Sequence, residues 1–182
     1  MTRPAPSTQT ILKHWREAVP NDRLAHLVKD ATRALVRALQ MRLAEHAVSF
    51  GHWTYLRILW EGDGLTQRAL SEQAGVMEPT TFSALKAMQR LGYVTRRKSD
   101  TDRKKVHIYL TPKGRALRDT LVPLAEEVNA IALRGVKAAD VAATRALLLA
   151  VIENMAKDEA ARDMRMPSTR ALAGLRARKR KA

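Results

Sequence analysis

The chain has 182 residues, 46% apolar, 28% charged and 4% aromatic, which suits one helical, Leu/Ala-packed domain, or one domain with an appended lobe and tails. Lys and Arg number 33 against 18 acids, a formal net charge of +15 that argues for a polyanionic partner, with nucleic acid the usual one. The absence of cysteine excludes disulfides, thiolate metal sites, a cysteine nucleophile and thiol redox sensing.

No apolar run approaches the ~18 residues that cross a bilayer, and MTRPAPSTQT lacks a hydrophobic signal core. A cytoplasmic protein, nucleoid-associated in a bacterium when bound to DNA, is therefore expected. Residues 1–21 read as an N-terminal arm, loose around Pro4 and Pro6, with a short helix over Ile11–Val19 that carries His14 and Trp15. Asp22 is a good cap type for a long amphipathic helix to about Ala47, with Leu24, Leu27, Val28, Ala31, Leu35, Ala38, Leu39 and Leu43 at spacings of three and four. Ser49 is placed to cap a helix over Gly51–Glu61, with Trp53, Leu56, Leu59 and Trp60 inward, and Glu61-Gly62-Asp63-Gly64 ends it with turn chemistry.

The stretch from Leu65 to Thr111 organises the rest. Thr66 caps a short helix, Gln67–Ala74, anchored by Leu70, and Gly75 suits the turn that follows. Glu78-Pro79 opens a second helix to about Leu91, proline being tolerated where its missing N–H costs nothing. Phe82, Leu85 and Met88, with Leu91, are expected to face the core, leaving Thr80, Thr81, Ser83, Lys86 and Gln89 outside. Two strand candidates follow, Tyr93–Arg97 and Val106–Leu110, joined by a loop bearing Lys98, Asp100, Asp102, Arg103, Lys104 and Lys105. Thr111-Pro112 starts a long helix whose Leu117, Leu121, Leu124, Val128 and Ile131 form a heptad-like seam, interrupted by Pro123, where a kink is expected. A last helix, about Ala138–Lys157, presents Val141, Leu148, Ile152 and Met155. Residues 161–182 form a basic tail that is expected to be disordered without DNA; from Arg162 on it holds eight Lys/Arg against one Asp.

The order of helix, turn, helix and cationic hairpin is a winged helix-turn-helix. The fold class is therefore mostly α (α+β), with the winged helix-turn-helix over residues 49–110 and a helical dimerisation region over 22–48 and 111–160. Short hydroxyl side chains let a reading helix approach the bases, so Thr80, Thr81 and Ser83 are base or phosphate contacts, against the alternative that they merely cap the helix. Exposed N–H groups at that helix start add an anion-friendly end. Lys86 is better placed for phosphate, Gln67 and Arg68 for the groove's rim, and Arg96 and Arg97 lie on the adjoining strand. Arg103, Lys104 and Lys105 suit a minor groove, where negative potential is strongest, against the alternative of a solvated charged hairpin.

These residues resemble the MarR family of bacterial winged-helix regulators over about Leu24–Met155. The likeness rests on the wing and helix start from Asp102-Arg103-Lys104-Lys105 to Leu110-Thr111-Pro112-Lys113-Gly114, on Gly64-Leu65-Thr66, and on Leu91-Gly92-Tyr93-Val94. The family's wing arginine falls on Lys104, with Arg103 beside it, and a lysine lacks the flat guanidinium fork. The resemblance implies a homodimer reading a pseudo-palindromic operator through helices about one turn, ~34 Å, apart. It also implies a repressor released by a small ligand, an aromatic acid or its thioester for relatives with a tryptophan-rich second helix. Candidate ligand contacts are His14, Trp15, Arg37, His46, Ser49, His52, Trp53 and Arg57, with His52 foremost and the core the alternative place for Trp53.

Five scattered histidines, no HExxH, no GxSxG and no phosphate-binding glycine loop argue against an enzyme. No cofactor and no metal are expected. The competing function is a sequence-tolerant, nucleoid-type basic DNA binder without an effector.

Overall fold

The computed structural model describes residues 7–17, 24–98 and 106–162. In chain order it contains α1 (Thr8–Glu17), α2 (Leu24–Ala44), α3 (Phe50–Glu61), β1 (Leu65–Thr66), α4 (Gln67–Ala74), α5 (Glu78–Arg90), β2 (Val94–Lys98), β3 (Val106–Leu110), α6 (Pro112–Ala132) and α7 (Ala138–Ala161). The expected Asp22 cap, the wing tip and the basic tail beyond Arg162 lie outside the described residues. The chain divides into two units, Met1–Ala132 and Leu133–Ala182.

Local chemistry sets the helix starts of the first unit. Ser49 Oγ accepts the His52 N–H at 3.1 Å, and Thr66 Oγ1 accepts the Ala69 N–H at 3.2 Å. Each satisfies one of the donors that a helix start leaves without an intrahelical partner. Gly75 ends α4 in the left-handed region, φ +64°, where a side chain is strained. The core then gathers Leu43 of α2, Leu56 and Leu59 of α3, Leu70 of α4, Leu85 and Met88 of α5, Ile108 of β3 and Leu121 of α6.

The sheet is antiparallel, in the order β1-β3-β2, with Val94 opposite Leu110 and Leu65 opposite Ile108. β1 was not foreseen, because two residues show no alternation. It gives β3 a partner on each side, so the wing's base is a sheet rather than a lone hairpin.

The heptad-like seam of α6 has its partner within the chain. Leu121 and Val128 are buried and Leu117 and Leu124 half-buried against the same core as Leu39 and Leu43 of α2. Arg42 of α2 reinforces the pairing, donating from Nε and Nη2 to the two carboxylate oxygens of Glu127, each at 3.0 Å. That hydrogen-bonded fork holds the Glu127 carboxyl below its ordinary range. Only Ile131 of the seam is exposed, so the period that suggested a second copy is largely used up inside one chain. The helix is continuous through Pro123.

In the second unit α7 has no buried residue. Leu147, Leu149, Ile152 and Met155 are each 50–65% exposed. No helix among the described residues is long and apolar enough to cross a membrane.

Candidate nucleic-acid interface

Helices α4 and α5 meet at the Gly75 turn, and α5 buries one stripe, Thr81, Leu85 and Met88. Its other face leaves Glu78, Pro79, Thr80, Phe82, Ser83, Lys86, Gln89 and Arg90 exposed. This corrects the expected assignment at three positions. Thr81, taken as a DNA contact, is 0% exposed; Phe82 and Leu91, taken as core, are 46% and 39% exposed.

A hydrogen-bonded chain explains the exchange. Tyr55 Oη donates to Thr81 Oγ1 at 3.0 Å, Thr81 Oγ1 and Ser71 Oγ are 2.8 Å apart, and Ser71 Oγ reaches the Gln67 carbonyl at 3.0 Å. Each hydroxyl has one proton, so a relay from Tyr55 through Thr81 and Ser71 to the Gln67 carbonyl gives every proton an acceptor. These three residues come from α3, α5 and α4, so the relay ties the reading helix to both of its supports. A buried hydroxyl is tolerated only when it is so satisfied.

The remaining candidates are distributed around this frame. Thr80, Ser83 and Lys86 stand on the open face of α5, with Ser83 Oγ donating back to the Pro79 carbonyl at 3.0 Å. Gln67 is half-buried at the start of α4. Arg68 is exposed and donates from Nε to Glu72 at 2.9 Å. Arg96 of β2 lies with its guanidinium carbon 5.2 Å from the Phe82 ring centroid, and Arg97 stacks on Tyr109 at 5.1 Å. Arg103, Lys104 and Lys105 lie outside the described residues. The anion-friendly start of α5 is weaker than expected. Pro79 has no N–H, the Thr80 and Thr81 N–H groups are both bound to the Met77 carbonyl, and the Glu78 carboxylate occupies the first turn.

Behind the wing, the Thr111-x-x-Gly114 start of α6 has a direct physical meaning. Thr111 Oγ1 donates to the Gly92 carbonyl at 2.6 Å and accepts the Gly114 N–H at 3.1 Å. A Cβ on Gly114 would collide with the Tyr93 carbonyl oxygen, so only glycine lets α6 approach the start of β2 this closely. The Gly114 carbonyl in turn accepts the Trp60 indole N–H at 2.9 Å.

The eight candidate ligand contacts do not converge on one site. Ser49, His52 and Trp53 share the start of α3, where Ser49 is occupied as the cap and Trp53 is core, packed edge-on against Trp60 at 5.6 Å. His52 is half-buried, its Nδ1 has no partner among the described residues, and burial pushes its pKa down. His14 packs edge-on against Trp15, whose indole N–H donates to Asp30 at 3.1 Å. His46 and Arg57 are exposed. Arg37 alone of the eight lines a cavity of about 320 Å³ between α1 and α2, beside Ile11, Arg33, Val36 and Gln40.

A helix pair with one open face, followed by a hairpin clamped to a long helix, defines a winged helix-turn-helix. Residues 48–106 match the model of the MarR family. Over 98 residues the chain is 31% identical to the HTH-type transcriptional regulator TtmR of Methylorubrum extorquens (strain PA1), covering 54% of this chain and 50% of that one. It is 29% identical over 97 residues to the homoprotocatechuate degradative operon repressor of Escherichia coli, covering 53% of this chain and 66% of that one. The chain thus spans half to two thirds of the length of these two relatives. A MarR family protein from Listeria monocytogenes, solved with a 26mer DNA, shares the fold with a TM-score of 0.70 and 22% identity, covering 81% of this chain and 99% of that one. Over residues 48–106 the chain is thus similar to the MarR family, and the two sequence relatives named here are transcriptional regulators.

Proposed function

We propose that this protein is a DNA-binding transcriptional regulator that acts as a homodimer and represses, each copy laying α5 in a major groove with its wing at the adjoining minor groove. The observation that carries this reading is the open face of α5. Thr80, Phe82, Ser83, Lys86 and Gln89 stand there uncovered while Thr81, Leu85 and Met88 hold the helix to the core. The net charge of +15 supplies the sequence-independent attraction to phosphate. The Listeria monocytogenes protein bound to DNA supports the partner, and the Escherichia coli relative's name supports repression. The exposed apolar side chains of α7, Leu147, Leu149, Ile152 and Met155, support a second copy, since such a patch is a surface that a partner can cover.

A footprint of the purified chain on random-sequence and upstream DNA tests the reading. A bounded pseudo-palindrome with half-sites about one turn, ~34 Å, apart is expected. Uniform coverage would instead mean charge-driven, nucleoid-type binding, and a stable monomer in sedimentation would remove the two-headed geometry.

A small aromatic carboxylate, or its thioester, is proposed to release the DNA. Two features support this: the cavity between α1 and α2, where Arg33 and Arg37 offer cations beside the apolar Ile11 and Val36, and the unpartnered Nδ1 of His52. Titrating benzoates into a gel-shift assay with Arg37→Ala and His52→Ala distinguishes the two places. No release by any acid, or the same response in both variants as in the parent, would end the proposal.

A further inference from the structure

We propose that Phe82 reads a thymine by packing on its 5-methyl group in the major groove, with Arg96 holding the ring in its reading position. The inference rests on the DNA-binding reading above and assigns one residue its part in sequence choice. Phe82 occupies the middle of the open face of α5, one turn after Pro79 and one turn before Lys86. An aromatic ring 46% exposed at that point is costly in water unless something covers it. The core has not displaced it for lack of an apolar stripe, since Leu85 and Met88 complete that stripe with Thr81 instead. Thr80, Ser83, Lys86 and Gln89 around it are all polar, so Phe82 is the one large apolar surface among these exposed neighbours.

Arg96 makes the ring a fixed feature. Its guanidinium carbon is 5.2 Å from the ring centroid, within cation–π range. Arg96 Nε and Nη2 are shielded from solvent and have no hydrogen-bond partner among the described residues. A guanidinium shielded in this way keeps to the ring rather than to water, and the rest of the ring is left open. Of the four bases, thymine alone presents a methyl group in the major groove, and phenylalanine is among the side chains suited to meet it.

The test starts by selecting a preferred duplex from a random library with the full chain. Each thymine of that duplex is then replaced in turn by deoxyuridine, which deletes the methyl and keeps the hydrogen-bonding edge. Affinity is expected to fall about fourfold at one position per half-site, the worth of one methylene-sized group returned to water. Phe82→Ala, checked for folding by its thermal transition, is expected to bind the thymine and deoxyuridine duplexes equally. Phe82→Leu should retain part of the difference. Failure to select any sequence would overturn the DNA-reading function itself and this inference with it. A selected site in which no thymine methyl matters, or whose methyl sensitivity survives Phe82→Ala, would overturn only the role of Phe82 and leave the ring as packing for Arg96.

Discussion

Arg115 Nη1 donates to Asp63 Oδ2 at 2.7 Å and thereby ties the first turn of α6 to the loop that leads into β1. The other carboxylate oxygen accepts the Leu110 N–H at 2.8 Å and the Gly64 N–H at 3.1 Å, while Arg115 Nη2 donates to the Leu110 carbonyl at 3.1 Å. One acid thus fastens the start of β1 and the end of β3, side by side at one end of the sheet, to the helix behind it.

Asp63→Ala is expected to lower stability by about 2 kcal/mol, because it strands a half-buried N–H that was bonded to a charged acceptor. Arg115→Ala should cost less, about 1 kcal/mol or below, since that side chain is 57% exposed and water replaces its bonds readily. Urea unfolding of the two variants and the double variant reads both figures and their coupling. Equal losses in the single variants would mean that the ion pair, not the backbone contact, dominates.

The hydroxyl relay makes a second separation possible. Thr81→Val keeps the shape but leaves Tyr55 Oη without its acceptor, at a cost of about 1–3 kcal/mol, and Thr81→Ser should recover most of it. Thr80→Ala and Ser83→Ala lie on the exposed face and are expected to move stability by less than about 0.5 kcal/mol. Thermal unfolding and affinity for a selected duplex, measured on the same four variants, should fall into opposite patterns. Thr81→Val that unfolds normally but loses sequence preference would place Thr81 back among the DNA contacts.

The contrast between Thr81 and Phe82 also shows what a single sequence discloses. Ser49, Thr66 and Gly75 were legible because a cap or a left-handed turn is decided within a few residues. The buried stripe of α5 was not, because Phe82-Leu85-Met88 and Thr81-Leu85-Met88 both fit helical spacing. What decides between them is Tyr55, 26 residues away, and Ser71, 10 residues away, whose hydroxyls make a buried threonine acceptable. The seam of α6 was legible as a period, but a period does not name its partner, and α2 took it. The Asp63–Arg115 tie spans 52 residues between two ordinary charges and left no local mark. The scattered ligand candidates failed to converge for a related reason. Several already have a structural task, Ser49 as a cap, Trp53 in the core and Trp15 bonded to Asp30.

Gly114 offers a sharper test of how α6 supports the wing. A methyl added there would meet the Tyr93 backbone rather than a yielding side chain, and would sit 3.2 Å from Leu110 Cδ2. Gly114→Ala is expected to cost about 1–3 kcal/mol despite the better helix propensity of alanine. The Trp60 bond to the Gly114 carbonyl should be disturbed with it, visible as a change in tryptophan fluorescence. A variant as stable as the parent, with unchanged fluorescence, would show that α6 is free to shift away from the start of β2.

His52 gives the chain an acid-side weakness with a defined sign. Burial lowers its pKa from the ordinary 6.5, so the folded chain takes up this proton less readily than the unfolded one. The group therefore costs nothing above about pH 6.5, and stability is lost as the pH falls from there through the lowered value. Asp30 and Glu127, whose carboxyls are held below ordinary values of 3.8 and 4.5 by hydrogen bonds from Trp15 and Arg42 respectively, act in the same direction. Their losses come at more acid pH, below the histidine's window. Urea midpoints measured at about pH 7.5 and pH 5 should fall for the parent chain and fall less for His52→Gln, which cannot take up the proton. An equal fall in both would assign the acid sensitivity to groups other than His52, and would also weaken its place in the effector proposal, since a water-exposed imidazole has no unmet partner for a carboxylate to supply.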